Sequence, residues 1–262
     1  MKVYISVDME GISGIVLPEQ VRSTDAHYRQ ACDYMVADAN ACAEGCFRGG
    51  AKQVVVWDAH GSGFNMPWDK IDSRVVLQQG GNVFGRLHDI GKFDALILLA
   101  YHAMAGVRAA VLEHTMSSLA WQNCWINGRK CGEFAIDAGI AGDAGVPTIM
   151  VSGDDTFCKE AGQWVPGIHA AQVKTGLATK GARLLSPANA HALITATAER
   201  ACRERRKLKP LVHRKPVKMR LELVERNPVP LTMDGKPWLK LIDGRTYEVT
   251  GRDTREALYR LF

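Results

Sequence analysis

No apolar run in this sequence is long enough to cross a bilayer. The longest, such as Ala95 to Tyr101, fall far short of the roughly 20 residues a spanning helix needs. The N-terminus runs straight into a strand-like segment with no apolar signal region, so the reading is a cytoplasmic protein without a membrane partner. There is no CxxC pair among the seven cysteines (Cys32, Cys42, Cys46, Cys124, Cys131, Cys158 and Cys202), and an odd number in that compartment argues for free, mostly buried thiols over a disulfide framework. Cys42 and Cys46 stand at i, i+4 of a helical pattern and could share a metal, but core packing is the expected role. Internal repeats and low-complexity tracts are also missing. The formal charge of +5 comes largely from the last third, where Arg200, Arg203, Arg205, Arg206, Lys207 and Lys209 precede His213, Arg214 and Lys215. No aromatic residues are interleaved there, so a solvated helix end is expected and a nucleic-acid partner is not.

What remains, 262 residues with 47% hydrophobic and 23% charged, is an ordinary globular composition with core enough for one large domain or two unequal ones. The chain is organised around its first eleven residues, MKVYISVDMEG. Lys2 to Val7 is an apolar, β-branched run of the kind that makes a buried strand, and it ends in Asp8 and Glu10. Side chains at i and i+2 point the same way, so two carboxylates converge where the strand runs out, and anions that close call for a cation. A D-x-E tripeptide by itself is more often a solvated strand end; the rest of the chain changes that weighting.

A Gly-rich connection follows, then a helical pattern from about Asp25 to Arg48 closed by Gly49-Gly50. Lys52 to Trp57 reads as a second buried strand ending in Asp58 and His60; Val75 to Leu77 as a short third; Asn82 to Ile90 as a short helix; Phe93 to Ala100 as a fourth strand ending in Tyr101-His102. Trp121 to Ile126 is a strand that turns at Asn127-Gly128, Glu133 opens an Ala-rich helix to about Ala144, and Pro147 to Val151 is another buried strand leading to Ser152-Gly153-Asp154-Asp155. The boundary is expected near Pro166-Gly167, dividing a catalytic domain of residues 1–165 from a smaller α+β domain of residues 166–262. The latter holds strands at Ala170–Thr175, Val217–Val224 and Leu239–Val249, a helix from Ser186-Pro187 to about Arg206, and a last helix from Thr254. The expected class is α/β: a mostly parallel, three-layer α/β/α sheet domain followed by the smaller unit.

Three strands ending in DxE, DAH and YH place Asp8, Glu10, His60 and His102 at one edge of such a sheet, where open α/β sheets build their sites. With Glu133, these three carboxylates and two imidazoles form a ligand set for divalent metal, and two ions sharing a carboxylate or a water use five protein ligands while leaving positions open. His114, beside Glu113, lies near this set. Each histidine taken singly is more often a surface or core residue, and Asp58 could equally be a helix cap or a partner that orients His60.

MKVYISVDMEGISG, VVVWDAHGSG, LLAYHA, EHTMS, INGRKCGE and VPTIMVSGDD, in that order and spacing, closely resemble the D-aminopeptidases of the bacterial dipeptide-transport operon, a metallopeptidase family. The resemblance continues through VKTGLATKGARLLSPANA and is weakest over the last fifty residues. It implies a cytoplasmic, zinc-dependent aminopeptidase with a dinuclear site that removes the N-terminal residue, expected to be a D-residue, from short peptides or amino-acid amides, and that assembles as a homo-oligomeric ring. The family's metal ligands fall on Asp8, Glu10, His60, His102 and Glu133, with Asp8 as the bridging carboxylate. Its catalytic histidine falls on His114, as acid, oxyanion donor or nucleophile. The loop between His102 and His114, AMAGVRAAVLE, departs from the family pattern, which bears on substrate preference more than on metal binding. The competing readings are a metal-dependent amidase acting on a non-peptide amide and a non-catalytic peptide or small-molecule binding protein.

Overall fold

Two sheets carry the molecule in a computed structural model that describes residues 1–226, 229–230 and 235–262. In chain order the elements are β1 (Lys2–Val7), α1 (Tyr28–Arg48), β2 (Gln53–Asp58), β3 (Val75–Gln78), β4 (Ala95–Leu99), β5 (Trp121–Ile126), β6 (Arg129–Cys131), α2 (Glu133–Asp143), β7 (Thr148–Asp154), α3 (Asp155–Trp164), β8 (His169–Ala178), β9 (Gly181–Leu184), α4 (Pro187–Glu204), β10 (Val217–Leu223), β11 (Leu239–Leu241), β12 (Thr246–Gly251) and α5 (Thr254–Tyr259). The first sheet has the order β3-β2-β1-β4-β7-β8-β9 and is parallel except at its last pair. The second is antiparallel, in the order β11-β12-β10-β5-β6. As expected, the sheet is mostly parallel, and β1 pairs directly with β2, Val7 lying opposite Asp58.

Period-two burial explains the layers. Val3, Ile5 and Val7 of β1 face one way with Val54, Val56, Ile97 and Leu99, and α1 and α4 cover them with Met35, Ala39, Ile194 and Ala198. The two helices cross so closely that a β-carbon on Gly45 would lie 2.2 Å from the Thr195 carbonyl oxygen. Cys42 and Cys46 are buried in this apolar layer, the packing role expected of them. On the opposite face Tyr4, Trp57 and Leu98 meet Phe134 and Ile136 of α2, Phe157 of α3, and Met219, Leu221 and Val249 of the second sheet.

Two local expectations are corrected. Asn82–Ile90 is not a helix, because Gly85, Leu87 and Asp89 take left-handed φ values of 83°, 53° and 58°, which an α-helix of L-residues cannot contain. Leu239–Val249 is not one strand: Asp243 accepts the Arg245 N–H at 2.9 Å in a turn, and β11 folds back antiparallel on β12. Strands from both halves of the chain share each sheet: β8 and β9 extend the first, while β5 and β6 pair into the second. Strand β9 is half exposed and carries no clear alternation, so its own residues give no strand signal.

Sequence order runs outward from β1 through β2 to β3, and then resumes on the other side of β1 at β4. The crevice at the carboxyl ends of β1 and β4 is therefore the topological switch point of the sheet.

Candidate metal centre and active site

Strand ends deliver the side chains. Asp8 and Glu10 follow β1, His60 follows β2 and His102 follows β4, while Glu133 is the first residue of α2 and His114 comes from the long loop after β4. Asp8, Glu10, Glu133 and His102 are buried, each residue 7% exposed or less. Ligand atoms of Asp8, Glu10 and His60 lie within 4.8 Å of one another, and so do those of His102, His114 and Glu133. Asp8 spans the two groups: its Oδ1 is 3.1 Å from His60 Nδ1 and its Oδ2 is 3.3 Å from His102 Nε2. Glu10 Oε2 is 3.1 Å from His60 Nδ1, and Glu133 Oε1 is 3.3 Å from His102 Nε2 and 3.8 Å from His114 Nε2.

All three imidazoles are moored the same way. His60 Nε2 lies 2.9 Å from the Val21 carbonyl, His102 Nδ1 3.1 Å from that of Ala103, and His114 Nδ1 2.9 Å from that of Leu112. A carbonyl only accepts, so each of these ring nitrogens carries the proton and the other faces the carboxylates, the orientation that metal-ligating histidines use. Two of the inward atoms, His102 Nε2 and Glu10 Oε2, are buried without a hydrogen-bond partner among the described residues. Such orphans are costly unless something else satisfies them, and an N/O set of this composition suits a borderline divalent ion. The residues fit a metal centre.

The electrostatics agree. Burial opposes the charge on Asp8, yet the His102 and His60 imidazoles beside it hold its carboxyl well below the usual carboxylate range. Burial acts likewise on Glu133, but the His102 charge brings it down to about 2. For His60 and His102, burial disfavours the cation and is outweighed by the charges of Glu10 and Glu133 respectively, so both imidazoles stay protonated well above their ordinary range. The protein by itself thus answers its buried anions with imidazolium. The rings of His102 and His114 stack at 3.9 Å between centroids.

Several supports escaped the sequence. Lys174 of β8, fully buried, donates to the carbonyl oxygens of Glu10, Ile12 and Ile15 at 2.6, 3.0 and 2.7 Å, and Asp38 of α1 accepts the Ser13 N–H and hydroxyl. Between them they fix the Gly-rich loop that carries Glu10. Arg86 pairs with Asp137 at 2.5 Å and reaches Glu133 Oε2 at 3.4 Å; Tyr101 donates to Asp137 at 2.6 Å and meets Ser6 at 2.7 Å. Glu160 of α3 accepts the Met104 N–H at 2.8 Å, two residues beyond His102, and burial pushes its carboxyl up to about 7. Asp58 contacts no His60 ring atom. It accepts the Asn65 and Met66 N–H groups at 2.6 and 3.2 Å, while Asn65 Nδ2 donates to the His60 carbonyl at 2.8 Å. Its link to His60 runs through Asn65 to the main chain. Asp154 caps α3 through the Phe157 N–H at 2.8 Å and also accepts that of Val111 at 2.8 Å, anchoring the loop before His114.

A cavity of about 590 Å³ opens onto the cluster and includes Asp8, Glu10, His60, Arg86, His114 and Glu133 in its wall, with Arg22, Leu119 and Lys180 toward solvent. That volume is in the range of small-molecule sites. Among the described residues no helix is long and apolar enough to cross a membrane.

A peptidase family profile described as D-aminopeptidase, M55, matches residues 1–262. The D-aminopeptidase of Bacillus subtilis strain 168 is 34% identical over 213 residues, 80% of this chain and 77% of that one. Among solved structures, the Zn-dependent D-aminopeptidase DppA from Bacillus subtilis, a self-compartmentalizing protease, superposes with a TM-score of 0.91 at 30% identity, covering all of this chain and 95% of its own.

Proposed function

The chain belongs to the D-aminopeptidase family of M55 peptidases, and from that premise we propose that it is a zinc-dependent aminopeptidase with a dinuclear centre, removing N-terminal D-residues from short peptides or amino-acid amides. The observation that carries the dinuclear reading is the position of Asp8, with one carboxylate oxygen turned to His60 and the other to His102. In this reading Asp8, Glu10 and His60 hold one ion, and Asp8, His102 and Glu133 the other. Two ions there supply Lewis acidity and a nucleophilic water at neutral pH.

The remaining roles fall to the chain. Arg86, held by Asp137, steadies the second oxygen of Glu133. His114 keeps its Nδ1 proton on the Leu112 carbonyl and turns Nε2 to the cavity, where it can accept a proton, return it to the leaving nitrogen, or donate to the tetrahedral oxyanion once protonated. A second reading, His114 as a ligand, is favoured by its place with His102 and Glu133 in one donor group. By analogy with the self-compartmentalizing relative, the chain assembles into a closed homo-oligomer larger than a dimer in the cytoplasm.

The test is metal content measured on zinc-reconstituted protein together with hydrolysis of D-aminoacyl amides, L-aminoacyl amides and unrelated amides. About two equivalents and a D-preference are expected. Turnover of unrelated amides in their place identifies an amidase, and less than one equivalent without turnover identifies a binding protein.

A further inference from the structure

The cavity is lined by charges of both signs in different places. Its carboxylates, Asp8, Glu10 and Glu133, are buried, whereas two lining cations, Arg22 and Lys180, are exposed and so stand at the mouth. Neither cation is in an ion pair among the described residues. The third exposed-side charge near them, Glu113, is turned to the Gly106 N–H at 2.6 Å.

The main chain beside each cation is held in place. Arg22 directly follows Val21, whose carbonyl receives the His60 ring N–H at 2.9 Å. Lys180 directly follows Thr179, whose carbonyl receives the Leu112 N–H at 2.9 Å, and Leu112 in turn accepts from His114 at 2.9 Å. One cation is therefore tied by the main chain to the His60 side of the cluster and the other to its His114 side. They flank the opening from the β1–α1 connection and the β8–β9 turn. With the N-terminal end of a short peptide at the metal centre, two cations on opposite sides of the opening are complementary to the carboxylate at its outer end.

We propose that Arg22 and Lys180 form the subsite for the C-terminal carboxylate of a short peptide substrate, so that the enzyme selects peptides with a free C-terminus over the corresponding amides. This rests on the aminopeptidase reading and deepens it by naming the far end of the substrate. Charge-assisted hydrogen bonds to a carboxylate correspond to about tenfold or more in discrimination.

The experiment compares kcat/KM for D-alanyl-D-alanine and D-alanyl-D-alanine amide on the zinc-loaded protein and on the Arg22→Gln, Lys180→Gln double variant. Expected are a preference for the free acid of about tenfold or more in the parent, weakening as salt is added, and a ratio close to one in the double variant, carried mainly by a rise in KM for the acid. A parent without preference, or a preference that survives in the double variant, overturns the subsite. A parent that hydrolyses neither compound overturns the aminopeptidase reading itself, and the two failures are told apart by the amide, whose turnover needs no carboxylate.

Discussion

Lys174 Nζ donates to the main-chain carbonyl of Glu10 at 2.6 Å, across 164 residues of sequence and with no carboxylate oxygen in between. Burial lowers its pKa to about 8, so the ammonium is held at a cost that three carbonyl bonds offset. Lys174→Met removes the donor from three carbonyls at once. A loss of about 2–4 kcal/mol in unfolding free energy is expected, with weaker zinc binding because the loop carrying Glu10 is released. Denaturant unfolding and zinc titration on the same preparation check both, and unchanged zinc affinity would confine Lys174 to folding.

Asp8 and His114 are separable by metal content. Asp8→Ala deletes the carboxylate that faces both donor groups and is expected to remove metal and activity together. His114→Ala is expected to keep its metal and lose turnover by ~10²-fold or more, the usual size of a missing acid, base or oxyanion group. A His114→Ala protein that fails to hold zinc makes that residue a ligand.

Zinc must displace the protons that His60 and His102 hold above their ordinary range, so its affinity rises with pH. For the protein without zinc the sign is opposite. Raised imidazole pKa values stabilise fully below the unfolded value of about 6.5, and that contribution fades as pH climbs through the folded values. Asp8 and Glu133 are lowered, and their contribution is lost only as pH falls through the acid range. Thermal unfolding should therefore show a zinc-induced rise in Tm that grows from about pH 6 to about pH 8. A rise that shrinks over that interval contradicts the proton competition.

Gly11 closes the DMEG segment because the chain passes too near its neighbour for a side chain. A β-carbon there would lie 2.1 Å from the Tyr101 carbonyl oxygen, and the Gly11 N–H donates to Ala100 at 2.8 Å. Gly11→Ala pushes the segment bearing Glu10 away from the one bearing His102. It is expected to cost about 2 kcal/mol or more and to lower zinc affinity. Ordinary stability with ordinary affinity would mean the two segments can part without consequence.

The sequence carried the frame of this arrangement because strand ends are local signals. The apolar, β-branched runs KVYISV and QVVVW, each followed by acids or a histidine, place Asp8, Glu10 and His60 at one sheet edge without any knowledge of tertiary contacts, His102 follows the run ending at Ala100 in the same way, and the resemblance gave Glu133 and His114 their roles. The supports were invisible for the opposite reason. Lys174 lies in a strand whose alternation makes a lysine look solvent-facing, and only the approach of the distant Gly-rich loop buries it. Arg86 sits in a stretch whose left-handed residues defeat helical periodicity, and its partner Asp137 reads as a polar residue on an Ala-rich helix. Sheet membership likewise depends on which distant strand docks where, so β5 and β6 could not be assigned to the second sheet from their own residues.

The mooring of the three imidazoles by Val21, Ala103 and Leu112 has a bearing on how this protein tolerates change. Every outer partner is a peptide oxygen, an atom that all twenty amino acids possess. Replacing the side chain at any of these positions leaves the acceptor in place as long as the backbone keeps its path, which Asp154, Glu160 and Thr179 secure from elsewhere. At Leu112 and Glu113, the positions of AMAGVRAAVLE that line the cavity, the side chain has no part in holding the rings, so the wall that a substrate meets can change while the ring nitrogens stay aimed. Recognition can drift in this scaffold without the catalytic apparatus having to be rebuilt.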